Sequence, residues 1–108
     1  MTGGEQMETM LTMLKVDLGI MTSTAYDARL TQLLDAAKQY IINEGASTLD
    51  ASNIEDAQLI VMYAAWLWRK RDGATGPVQN YDATTMPRML RLLLNNRVFK
   101  EKAVVTDG

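Results

Sequence analysis

The side chains here that can do chemistry are carboxylates, hydroxyls, lysines and arginines, because the 108 residues include no His and no Cys. That rules out Ser-His-Asp and Cys-His nucleophile systems, thiolate redox chemistry and the usual zinc sites, each of which needs an imidazole or a thiolate. Paired carboxylates are what remains for acid–base or metal-assisted work. Glu55-Asp56 is the only adjacent pair. Neighbouring helix positions diverge by about 100°, so these two cannot converge on one atom, and they suit the positive N-terminal end of a helix instead. Glu5 and Glu8 alone have helical i, i+3 spacing, and they lie at the periphery. No catalytic residue, metal site or cofactor is expected, and the chain does not read as an enzyme. The pair Gly73/Gly76 lacks the strand–turn–helix context and the Lys of a phosphate loop.

The cations are more informative. Arg69-Lys70-Arg71 closes the most apolar stretch of the chain, and Arg88, Arg91 and Asn95 share one face of a later helix, with Arg97 close behind. Arginines do not pack uncharged in a core, so they must meet water, an acidic partner or a polyanion. Arg69-Lys70-Arg71 also suits the negative end of a helix dipole. Together with Tyr81, in the segment between these helices, Arg69, Lys70, Arg71, Arg88, Arg91, Asn95 and Arg97 are the candidate contact residues.

Charge is also divided along the chain. Residues 1–57 carry nine acids against three bases, a net −6, and residues 58–108 carry eight bases against four acids, a net +4. If the halves separate in space, the acidic side of one subunit faces the basic side of the next, which suits a head-to-tail contact that closes as a ring. Asp27 and Asp35 are the acids expected on the edge opposite Arg88 and Arg91. The plainer account is a chance asymmetry in a small chain.

The elements that hold these residues read as helices. With 47% apolar and 22% charged residues, the composition is that of one globular domain, residues 1–108, with 1–6 and 103–108 expected to be flexible. Met7, Met10, Leu11 and Leu14 mark the first helix, ended near Gly19. Thr24 with Asp27 resembles a capping box opening a second helix, striped by Tyr26, Leu30, Leu33, Leu34, Ala37 and Ile41 and stopped at Gly45. Ser52 with Glu55 makes a second such box. The ten-residue apolar run Leu59 to Trp68 is too short for a bilayer, which needs about 20 residues, and predicts a helix buried on nearly all sides. Trp66 and Trp68 lie about 200° apart on it, so one is expected inside and one near an edge. The eight Met read mainly as core filler.

Residues 72–86 carry no period and read as a long loop, in which Val78 and Tyr81 would form a β-like piece only if another chain paired with them. Pro87 then fits the first turn of a fourth helix, with Met86, Leu90, Leu93 and Leu94 as its apolar face. From Val98 onward a partly ordered tail is expected. The fold class is therefore all-α, a small bundle of about four helices with a long loop between the third and fourth. No basic and apolar leader pattern opens the sequence, which reads as soluble and intracellular.

Several segments resemble a known family. Leu14 to Ile20, Tyr26-Asp27 through Ala36-Ala37 and Tyr40-Ile41, Tyr63 to Arg71, and Met86 to Arg91 with Leu94 to Arg97 are similar to the small α-helical head–tail connector (adaptor, head-completion) proteins of long-tailed bacteriophages and prophages, especially those of Gram-positive hosts. The likeness runs from about residue 7 to 102, and the last two segments are its more specific part. It implies a structural, non-enzymatic subunit that forms a ring, of about twelve copies, beneath the portal after DNA packaging. That ring extends the DNA channel and offers a docking surface to the stopper or tail. The implied partners are the chain itself, the portal protein, the stopper or tail-completion protein and DNA passing through without sequence-specific recognition, with no membrane. The implied location is the virion head–tail interface, and the host cytoplasm during assembly.

Two other classes fit the residues less well. A small helical nucleic-acid-binding module needs a basic recognition helix after a short turn, whereas Arg88 and Arg91 follow a fifteen-residue segment and the net charge of −2 opposes unaided phosphate binding. A carboxylate–metal enzyme lacks acids at ligand spacing.

Overall fold

The computed structural model describes residues 3–73 and 86–107, with side chains over 5–70 and 86–102. Four helices follow in order: α1 Gly3–Leu18, α2 Asp27–Glu44, α3 Ile54–Gly73 and α4 Arg88–Asp107. No strand occurs among the described residues, and the chain is a small all-α bundle. The conformation of the connection between α3 and α4, including Val78 and Tyr81, lies outside the described residues.

α3 is the centre, packing against α1, α2 and α4. Leu59, Ile60, Val61, Tyr63, Ala64 and Ala65 are buried along it, as the uninterrupted apolar run requires of a helix covered on most sides. α2 contributes Leu30, Leu34, Ala37 and Ile41, α1 contributes Met10 and Leu14, and α4 contributes Leu90 and Leu94, all buried. Spacings of three, four and seven residues bring each set onto one side of its helix, where burial of a full aliphatic side chain stabilises by about 1.5–3 kcal/mol. The bundle is flat, with extents of 49 × 37 × 17 Å.

The helix ends show how local sequence sets the corners. Gly19 sits at φ +76° after α1, its N–H donating to the Val16 carbonyl and that of Ile20 to the Lys15 carbonyl, which satisfies two of the free carbonyls at the helix end. Gly45 at φ +135° closes α2 in the same way. The start of α2 differs from the expected capping box: its N-cap is Tyr26, with no side-chain cap bond. Asp27 instead lies 2.9 Å from the ammonium of Lys15 on α1, and an opposite charge on a neighbouring helix outcompetes a local cap for that carboxylate.

At α3 the cap is Asn53 and not Ser52. Asn53 Oδ1 accepts the N–H groups of Glu55 at 2.9 Å and Asp56 at 3.1 Å, while Ser52 donates its hydroxyl to Asp50 at 2.7 Å. The fourth helix also departs from the expected tail, because the helix continues past Val98 to Asp107. An inward charge network at Arg97 and Glu101 holds the first part of that continuation.

Candidate functional site

α4 divides into three sectors when its residues are placed at about 100° intervals. The inward sector holds Leu90 and Leu94 in the core, Val98 packed against it, and the polar pair Arg97 and Glu101. Arg97 Nε donates to Asp56 Oδ1 at 2.8 Å and its Nη1 to Glu101 Oε1 at 3.2 Å. Glu101 also accepts the Thr48 backbone N–H at 3.0 Å and hydroxyl at 2.6 Å, and the Ser47 hydroxyl at 3.2 Å. Asp56 reaches back to accept the Asp50 N–H at 3.0 Å. The network therefore pins α4 to both the start of α3 and the turn between α2 and α3.

Its electrostatics follow from those bonds. The Thr48 hydroxyl and N–H, with Arg97 and Ser47 behind them, hold the Glu101 carboxyl down at about 2, well below its ordinary value. The bond to Asp56 foremost, opposed by burial, raises the Arg97 guanidinium above its usual range. Arg97 was a candidate contact residue by sequence; its guanidinium is committed to partners within the subunit.

A second sector faces outward and is mainly apolar, with exposed Asn96 and Lys100 also in it. Met89 is 58% exposed, Leu92 52%, Leu93 37% and Phe99 74%, and the four fall within about 120° of the helix circumference. Leu93, expected in the buried face, stands here instead. Exposed apolar residues scattered singly are ordinary, whereas four on one helix face form a patch that water covers at a cost.

The third sector adjoins this stripe and carries Arg88, Arg91 and Asn95, all exposed. Neither arginine forms an ion pair among the described residues. Arg91 lies close enough to Tyr63 to oppose the upward push that burial, Glu44 and Tyr40 exert on that phenol. Arg88, Arg91 and Asn95 thus share a face, as their spacing predicts.

The other candidate residues lie elsewhere. Arg69, at the far end of α3, reaches the Asp17 carboxylate at 3.3 Å on an exposed surface, a contact that stabilises little in water. Lys70 places its ammonium 5.0 Å from the Trp66 ring centroid, an attraction of about 0.5–2 kcal/mol between half-buried side chains. The side chains of Arg71 and Tyr81 lie outside the described residues. Neither tryptophan is fully buried: Trp68 meets Tyr26 edge-on at 5.4 Å and Trp66 meets Tyr63 at 5.5 Å. Of the acids expected on the opposing edge, Asp35 is exposed and Asp27 is engaged with Lys15.

Among the described residues no group of three or more carboxylates is arranged to hold a metal ion. No helix among them is long and apolar enough to cross a membrane. What the arrangement can do is bind a surface: an apolar ridge for packing, flanked by cations that select an acidic partner. Comparison with protein-family models, with curated proteins and with solved structures gives no match for this chain.

Proposed function

We propose that this chain is a structural subunit of a phage head–tail connector, which assembles as a ring beneath the portal, extends the DNA channel and presents a docking surface to the stopper or tail. It works by association and not by catalysis. Its partners are further copies of itself, the portal and the stopper or tail-completion protein, and DNA passes through the ring without being read.

The observation that carries this reading is the double amphipathicity of α4. One apolar face, Leu90 and Leu94, is used inside the subunit, and a second, Met89, Leu92, Leu93 and Phe99, is left in water. A helix with two apolar faces is complete only when something covers the second. The uneven division of charge along the sequence and the resemblance of Tyr63 to Arg71, and of Met86 to Arg91 with Leu94 to Arg97, to connector proteins support the same conclusion.

Negative-stain electron microscopy of the purified protein, alone and mixed with the portal, tests it. Closed rings of uniform diameter are expected. Isolated small particles in both samples, together with salt-sensitive binding to duplex DNA, would favour a nucleic-acid-binding module instead.

A further inference from the structure

We infer that the apolar stripe of α4 docks on a second copy of this chain, in the groove between α1 and the first turn of α3, so that successive subunits join through two different surfaces. The inference rests on the self-assembly reading above and names the two faces that meet.

The acceptor is a shallow groove of about 280 Å³ whose lining includes Met10 on α1, Ala51 in the turn before α3, and Ile54 and Ala57 in the first turn of α3. Its floor is apolar, and Ile54 stands on its edge 61% exposed, with no partner in its own subunit that buries it. Glu5 is the charged residue in the lining, and the adjoining Asp50 is exposed. The donor carries an excess of the opposite sign: exposed Arg88 and Arg91 lie beside Met89, Leu92, Leu93 and Phe99, Lys100 and Asn96 stand among them, and Glu55 of α3 is the one acid lining the same side, near Leu93 and Lys100. Each surface thus combines exposed apolar side chains with an excess of one charge, and the two signs are complementary.

This complementarity decides the occupant and the symmetry. Two α4 stripes packed on each other would bring the cations Arg88, Arg91 and Lys100 of one copy against those of the other, a like-charge contact that disfavours a symmetric dimer. Two grooves would oppose acids. A stripe on a groove satisfies both, and because donor and acceptor are different patches, every bound subunit still offers a free face of each kind. Such a heterologous contact propagates until it closes as a ring.

Cross-linking tests the pairing directly, since the chain contains no Cys and single thiols can be placed at will. Leu92→Cys and Ile54→Cys change exposed side chains, so both variants keep the fold, and Gln39→Cys on the exposed side of α2 is the control. One protein of each mixture carries a mass tag, and the pair is treated with a short bis-maleimide. A docked pair holds its thiols at millimolar effective concentration, so the mixture of Leu92→Cys with Ile54→Cys is expected to give at least about tenfold more tagged–untagged dimer than either mixed with Gln39→Cys. Leu92→Cys linking mainly to itself would overturn the inference in favour of symmetric pairing. Yields at the control level while the wild type associates would overturn the faces named here and leave the connector reading standing. Control yields from a wild type that stays monomeric at every concentration would overturn both.

Discussion

Arg97 on α4 and Asp56 on α3 are 41 residues apart in sequence, yet the guanidinium Nε and a carboxylate oxygen meet at 2.8 Å with both side chains almost wholly buried. This pair ties the fourth helix to the bundle from the inside, and it frees the rest of that helix to face outward. Replacing Arg97 with Met leaves Asp56 buried without its cation. Removing one partner of such a pair is costly, so a loss of about 3 kcal/mol is expected in urea denaturation. Arg97→Lys should recover only part of it, because an ammonium cannot reproduce the forked contact to Asp56 and Glu101.

Acid stability follows from Glu101. Its folded carboxyl titrates at about 2 against 4.5 for an ordinary one, so the unfolded chain takes up the proton first as pH falls. The contribution is present above about pH 4.5 and is lost progressively towards pH 2. Glu101→Gln removes this titration. The variant should be less stable than the wild type at neutral pH, and the difference between the two should shrink as pH falls through that window, measured by thermal melts at each pH.

The two glycine corners should respond differently to a methyl group. At Gly45, φ +135° is strained for any L residue, and a Cβ would lie 2.9 Å from Val98 Cγ1 on α4. At Gly19, φ is +76° and nothing lies within 4 Å. Gly45→Ala is expected to cost about 2–3 kcal/mol, combining strain with overpacking, and Gly19→Ala about 1 kcal/mol from backbone alone. Adding Val98→Ala should not rescue Gly19→Ala and should relieve part of the Gly45→Ala defect.

The helices were legible because their apolar spacings are strong and their ends carry Gly19 and Gly45, whose left-handed backbone matches what a helix stop needs. The caps were less so. Ser52 and Asn53 are both good N-cap types in adjacent positions, and only the hydrogen bond from Ser52 to Asp50 decides that Asn53 does the capping. Arg97 was unreadable as an internal residue, since its partners Asp56 and Thr48 come from distant segments and pattern rules see only neighbours. Leu93 was misplaced for a related reason. Leucines at 90, 92, 93 and 94 allow two apolar faces, and the sequence does not say which one meets α3.

Charge should tune association without setting the fold. Arg88→Glu with Arg91→Glu changes two exposed side chains outside the core, so the circular dichroism spectrum and melting temperature should hold. Association measured by sedimentation velocity should weaken, most at low salt, where the Debye length is long. Glu5→Lys, in the opposing groove, should restore part of the loss when both changes are carried by every subunit. Unchanged sedimentation at both low and high salt would mean that this basic face is only solvated.

The central claim is that the outward apolar stripe of α4 is an assembly surface, and the most direct measurement is the mass in solution of wild type and of Leu92→Asp with Phe99→Asp. Leu92 and Phe99 are 52% and 74% exposed, so the double variant should remain helical and melt close to the wild type. Light scattering should give a uniform multi-subunit species for the wild type over a range of concentrations and a monomer for the variant. Equal masses for the two proteins would contradict the account.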